Sequence, residues 1–460
     1  MPFAAITAAN RFGLGARPGE LTAIGGDARG WLIEQITGTR LVPQQMAGLP
    51  TSATVFQTFA QARQQRREDG EEDAAKRMDN GRKQIVAMYQ DQVAARYRLA
   101  TRTEQPFRER LVHFWSNHFA VSADKVQVAG LAGALEYEAI RPNLQGRFGD
   151  LLLAVAAHPA MILYLDNQAS IGPNSPLAVR AAKRANGARK LDINENLARE
   201  ILELHTLGVN GGYTQADVTT FARALTGWSV SAARGERSER AGQFEFREQA
   251  HEPGAKRILG KSYQEEGVAQ PRSVLRDLAV HSATAQHVAT KLARHFIADD
   301  PPRTAIDRLA KVFRDTNGDL PSLHRALVES PEAWRQAAIK FKTPHDFVVS
   351  TWRMLDFVPQ QPQQILAPFQ LLGQRPYTPG SPAGWPDTAG QWDGPDALLK
   401  RIEWANSMGK RMGSKVQPLE VGAQSLGSVF AERTRVAISR AESGAQGMTL
   451  LLASPEFQRR

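Results

Sequence analysis

Apolar residues recur at helical spacing through most of the chain, and runs alternating with period two are scarce. The densest stretch is 191–228. There Leu197, Ile201 and Leu204 form an apolar stripe, widened by Ala198 and Leu202. Asp192, with Glu195 three residues on, predicts a capping-box-like start. Gly208 suits the left-handed turn that ends a helix, and Gly211 and Gly212 make the connection. Thr214 and Asp217 repeat the capping logic for a second helix carrying Val218, Phe221, Ala222 and Leu225, which Gly227 ends.

The same periodicity predicts helices at 28–36, 106–119, 130–139, 282–297, 303–313, 320–329, 331–338, 344–355, 362–372 and 396–409. The apolar run 151–165 is broken by His158-Pro159. It reads as two buried helices, with Pro159 in the first turn of the second, and is too short to span a bilayer. Residues 51–101 read as a charged helical arm, interrupted at Gly70 and at Asn80-Gly81. Residues 229–263 read as an irregular excursion with a β-hairpin, and 373–395 as a loop rich in Trp, Pro and Gly. The expected architecture is mainly α: a single large helical domain over 1–460, with long irregular loops and at most one small β-hairpin.

Composition narrows the chemistry. The 460 residues contain no cysteine, which excludes thiolate metal sites, a cysteine nucleophile and disulfides. The net charge of +10 favours anionic partners, but the basic residues are scattered and no Lys/Arg block is interleaved with aromatics. The first twenty residues lack a charged start followed by an apolar core, so the chain as it stands reads as cytoplasmic; it would be periplasmic if an export signal lies outside this sequence.

At about 100° per residue, Glu195, Asn196, Arg199, Glu200 and Glu203 share one face of the first helix of 191–228. That face is read either as a polar centre or as a solvated surface with a Glu195–Arg199 pair. His205 falls on another side and reads as a core residue. In 106–119, Leu111, Phe114, Trp115 and His118 form a mostly apolar flank, while His113 and Asn117 share a face; this reads either as a packed aromatic helix whose polar tips bond neighbours or as one whose end, Asn117 and His118, faces the polar centre. Asp166, Asn167 and Asn174 lie in a long loop, rich in Asn, Ser, Gly and Pro, that feeds into the central helix. His251 and Lys256 flank Gly254 in a turn, where side chains point outward to a cleft or, as ordinary surface, to water. Trp385 and Trp392, beside Asp387 and Asp393, either plug a core or offer a stacking platform. Asp315, Asn317 and Asp319 alternate as in a calcium loop, but the glycine is misplaced, so 315–320 reads as a turn.

Several segments together resemble the bacterial domain-of-unknown-function family numbered eighteen hundred: RFGLG at 11–15, FWSNHF at 114–119, YLDN at 164–167, NENLAREILELHTLGV at 194–209, YTQADV at 213–218, ARALTGW at 222–228, HEPGAKRILG at 251–260, and LGQRPY with AGWPD near 372–387. The resemblance spans nearly the whole chain and implies no settled activity. It does imply a neighbourhood with an exported family similar to alkaline phosphatases and sulfatases, a candidate partner, and hence envelope work. It also singles out Asn117, His118, Asp166, Asn196, Arg199, Glu200, Glu203, His251 and Lys256.

Three functions compete. The first is a hydrolase or lyase acting on a polar, anionic polymer such as an envelope glycan. Glu200, Glu203, His118 and His251 would be its proton-transfer groups; Asn117, Asp166, Asn196, Arg199 and Lys256 would bind substrate, with Trp385 and Trp392 stacking on sugar rings. A metal variant uses Glu200, Glu203 and a histidine to hold a divalent ion. The second is a non-catalytic envelope or assembly protein whose buried polar network is structural. The third is nucleic-acid binding through the basic surface.

Overall fold

Helix dominates because the apolar stripes of many short segments can be buried only against one another. The computed structural model describes residues 3–38, 43–68, 71–184, 191–232, 239–335 and 340–460, with side chains described outside 62–79. The architecture is mainly α. Among the described residues strands form two two-stranded antiparallel sheets where the sequence pointed to one: Trp228–Val230 pairs with Phe244–Phe246, and Lys256–Ile258 with Lys261–Tyr263. The second turns through Leu259 and Gly260, both at positive φ, the backbone a two-residue hairpin requires. Among the described residues no helix is long and apolar enough to cross a membrane.

Two large hydrophobic cores organise the described residues, beside a small cluster of Met46, Ala95 and Leu99. The larger gathers Phe12, Phe107, Trp115, Phe148, Phe221 and Phe296 among many others. The smaller gathers Val93 and Tyr97 with Phe347, Trp352, Phe369 and Trp404. Tyr377, in the Pro/Gly-rich loop, packs against both. The helix Glu71–Arg102 runs through Asn80-Gly81 without a break, correcting the expected interruption there; Gly70, residues 185–190 of the basic loop, 233–238 of the excursion and 336–339 lie outside the described residues.

Local chemistry explains most boundaries. Thr214 accepts from the Asp217 backbone N–H while the Asp217 carboxylate accepts from the Thr214 N–H, a complete capping box. Thr214→Ala is expected to cost about 1 kcal/mol, read as a lower urea midpoint. Asp192 does not cap the preceding helix. The helix begins at Asn196, and Asp192 accepts from the adjacent Ile193 N–H instead. That helix widens at Ile201–His205 into a π-helical turn, with the Thr206 hydroxyl donating to the Ile201 carbonyl at 2.6 Å. Further π-helical segments occur at Ala8–Phe12 and Leu135–Ile140.

Candidate functional site

The helix Pro106–His118 starts on a proline and buries most of its circumference, including Glu109, Arg110, His113 and His118. Charges so placed require partners. Asp346, capped onto its helix by the Thr343 hydroxyl, lies 2.9 Å from Arg110 Nη1 and 2.8 Å from Arg460 Nε. Burial alone would raise its pKa, but the Arg110 and Arg460 guanidinium groups outweigh it and hold the carboxyl well below the usual range. Glu136, on a π-helical turn, accepts from Arg96, Arg141, Ser116 and the Tyr377 hydroxyl. Arg96 and Arg141 lower its pKa against burial. Glu109 takes a two-pronged bond from Arg141.

These ion pairs frame a cavity of about 90 Å³ at the seam of the two cores, lined by His113, His295, His345, Asp387, Tyr377 and Trp385 among others. His113 Nδ1 lies 3.0 Å from His345 Nε2, and His345 Nδ1 lies 3.1 Å from the Tyr97 hydroxyl. The third imidazole, His295, has its Nδ1 at 2.9 and 2.8 Å from the two Asp387 oxygens. Its Nε2 is buried and makes no hydrogen bond. Burial lowers the His295 pKa, with Asp387 partly offsetting it. The Asp387 carboxyl, despite burial, is held far below the ordinary range by His295 and Lys340. At neutral pH the pair is therefore carboxylate and neutral imidazole. Asp387 fixes the proton on Nδ1 and leaves a lone pair on Nε2.

The loop 373–395 closes one side. Asn117 clamps its backbone, donating to the Trp385 carbonyl at 2.9 Å and accepting from the Trp385 N–H at 2.7 Å. Gly384, at φ +83°, passes so close that a Cβ would meet the Asn117 carbonyl at 2.3 Å. Asp299 accepts from the Ala389 N–H and from Lys340, fixing the next stretch. Arg375, beside Asp124, stands half-exposed at the rim.

The residues singled out from sequence are not gathered into one centre. Asn117 and Trp385 line the seam cavity. Trp392 is buried near Trp385, with ring centroids 6.1 Å apart, and donates to the Pro386 carbonyl, so it plugs the loop. His118 is buried beneath the π-helical turn, its Nε2 3.1 Å from the His205 carbonyl. Glu200 and Glu203 lie on the half-exposed side, and no hydrogen bond or ion pair joins them to His118 or His251. Burial, then Glu203, raises the Glu200 pKa. Arg199 pairs with Glu195 at 3.0 Å and Glu203 at 3.4 Å and reaches Gln215; Glu195 accepts from Thr219 and Gln215. This face is a clasp between consecutive helices. Asn196 is exposed, and its N–H donates to Asn194.

His251 and Lys256 turn inward rather than out to a cleft. His251 Nδ1 lies 3.0 Å from the Thr226 carbonyl, and Lys256 donates to the carbonyls of Glu252, Pro253 and Gly254. Asp166, at φ +57°, accepts from Lys125 at 2.6 Å. Among the described residues no three His, Asp or Glu side chains form a group able to hold a metal ion, so Glu200 and Glu203 find no histidine for the metal variant.

Sequence reasoning passed over His295, His345 and Asp346, and weighed Asp387 only as a neighbour of the indoles. One usable signal was present. Glu109, His113 and Asn117 recur every four residues on a helix otherwise filled with aromatics. A mainly helical protein with imidazole–carboxylate pairs in a cavity between two cores is the class that fold and geometry define. Over residues 7–459 the sequence matches the family described as Protein of unknown function (DUF1800), and the chain belongs to that family. No curated protein and no solved structure matches it.

Proposed function

We propose that the protein is a hydrolase or lyase acting on an anionic, polar substrate such as an envelope glycan, with its centre at the seam cavity rather than on the Glu200/Glu203 face. One observation carries this reading: His295 presents a buried, unpartnered Nε2 from a cavity wall while Asp387 holds its other nitrogen. That is the arrangement of a general base, able to take a proton from water or substrate at Nε2 and return it to a leaving group. Arg375 at the rim, ion-paired with half-exposed Asp124, would hold an anionic substituent by exchanging that partner for it. The cavity has room for only a few waters, so one substituent enters it and the rest of the polymer lies outside.

The test is product release from a panel of anionic oligosaccharides, followed by mass spectrometry. His295→Gln should lower turnover by about 10²–10⁴, and Glu203→Gln should leave it within about twofold. The opposite pattern would move the centre back to the helix face. A second reading, a non-catalytic assembly protein, is favoured by the saturation of Asp346 and Glu136, whose partners satisfy them without any ligand. It predicts no turnover of any panel member.

A further inference from the structure

A second cavity, of about 200 Å³, lies on the other side of the Pro106–His118 helix, lined by Met46, Leu99, Val112, Tyr137, Glu109 and Arg141. Glu109 thus belongs to this wall, whereas His113, one helical turn on, belongs to the wall of the seam cavity. His113 Nε2 stands 3.2 Å from Glu109 Oε1. His113 Nδ1 stands 3.0 Å from His345 Nε2, and His345 Nδ1 stands 3.1 Å from the Tyr97 hydroxyl, which lines the seam cavity. Four side chains therefore bridge the two cavities by three separations of hydrogen-bond length. Tyr97, His345 and His113 all line the seam cavity and Glu109 lines the second, so the step that crosses between the two is the one from buried His113 to buried Glu109.

We infer that Tyr97, His345, His113 and Glu109 form a proton relay between the seam cavity and the second cavity. The order of donors is consistent along its length. The Tyr97 O–H donates to His345 Nδ1, which leaves His345 to donate from Nε2 to His113 Nδ1, and His113 to carry its proton on Nε2, 3.2 Å from Glu109 Oε1. A proton arriving at the Tyr97 oxygen moves the phenol proton to His345 Nδ1. The His345 Nε2 proton passes to His113 Nδ1, and the His113 Nε2 proton to the Glu109 carboxylate, which releases it to water in the second cavity. One proton enters, one leaves, and no charge stays on either ring. Both rings end in the other tautomer and must turn over to reset. The last contact is not aligned for a hydrogen bond, so a rotation of the His113 ring gates the outlet.

The surroundings suit this role. Burial keeps both imidazoles neutral, with their pKa values well below the usual range, and keeps the Tyr97 phenol protonated. Arg141 holds Glu109 in place through a two-pronged bond, so the carboxylate keeps its position beside His113. The relay stands apart from the proposed reaction, because it makes a claim about proton movement that needs no substrate.

The test is long-range ¹H–¹⁵N spectroscopy of histidine-labelled full chain. Wild-type protein should show His113 and His345 as neutral rings carrying the proton on Nε2. Each ring releases one proton only as it takes another, so cutting either end should slow exchange of both Nε2 protons with water. Glu109→Gln is expected to slow it by about tenfold or more while backbone amide protection stays unchanged. Tyr97→Phe, which keeps the Glu109–Arg141 pair, should do the same and serves where Glu109→Gln fails to fold. Exchange at the wild-type rate in Tyr97→Phe, or an imidazolium at neutral pH, would overturn the relay. Loss of panel turnover would not bear on it.

Discussion

Asp346→Ala is expected to be among the most destabilising single substitutions in the chain, costing about 3–5 kcal/mol. The carboxylate is nearly sealed from solvent and lies between Arg110 and Arg460, both at least as deeply buried. Removing it leaves two guanidinium groups facing each other in a low-dielectric seam with their shared counter-ion gone. Their positions are set by other bonds, since Arg110 Nε donates to the Gly13 carbonyl at 2.5 Å, so they cannot simply turn to water. The urea midpoint should fall accordingly, and Asp307→Ala, which breaks an exposed i,i+4 pair with Arg303, should shift it by only about 0.3–0.5 kcal/mol. Acid provides a second reading of the same group. Its pKa is depressed on folding, so its contribution is fully present above the unfolded value, about pH 4, and is lost only as pH falls through the lower folded value. Below about pH 4 the stability of wild type should therefore drop more steeply than that of Asp346→Ala. Parallel acid curves would show that Asp346 is not the paired carboxylate described.

Where a boundary depends on neighbouring residues, the sequence was enough. Thr214 and Asp217 cap as their spacing requires, Gly208 takes φ +85°, and Pro159 opens its short helix. His205 is a core residue because the apolar side of its helix is fixed by Leu197, Ala198 and Leu202. The candidate site was much less legible. Glu195, Arg199 and Glu203 do share a face, but whether that face meets a cleft or a second helix depends on where Gln215 and Thr219 come to lie. Nothing near Asp346 in sequence marks it as the partner of Arg110 and Arg460. The π-helical turn at Ile201–His205 also departs from the uniform 100° step, and Leu204, which the wheel placed in the apolar stripe, is only half-buried.

Chemistry and packing converge at the same seam for a physical reason. A cavity between two hydrophobic cores is the place where water is most easily excluded and a dipole counts most. Ion pairs such as Arg96–Glu136 and Arg110–Asp346 hold the two cores in register, and the imidazoles stand between them. A stabilising network and a reactive centre are thus not exclusive readings of these residues. What separates them is whether a polar atom is left without a partner. Asp346 and Glu136 have all they need; on the seam-cavity wall His295 Nε2 and His113 Nε2 do not, and of the two only His295 has its other nitrogen held by a carboxylate.

That difference makes Asp387→Asn the most informative change for activity. On the proposed reading, turnover of a panel substrate should fall by about 10²–10⁴ with the fold retained, because the amide keeps the shape of the carboxylate. Two effects combine. An amide can donate to His295 Nδ1 as well as accept from it, so the ring is no longer fixed with its lone pair on Nε2. Loss of the negative charge also removes the interaction that raises the His295 pKa against burial. The acid limb of kcat/KM should consequently move to lower pH while the plateau falls, since the ring stays neutral further into acid but is a weaker base. An unshifted acid limb would mean that the titrating group is not His295. A full plateau with a shifted limb would show that the imidazole titrates beside the reaction without taking part in it.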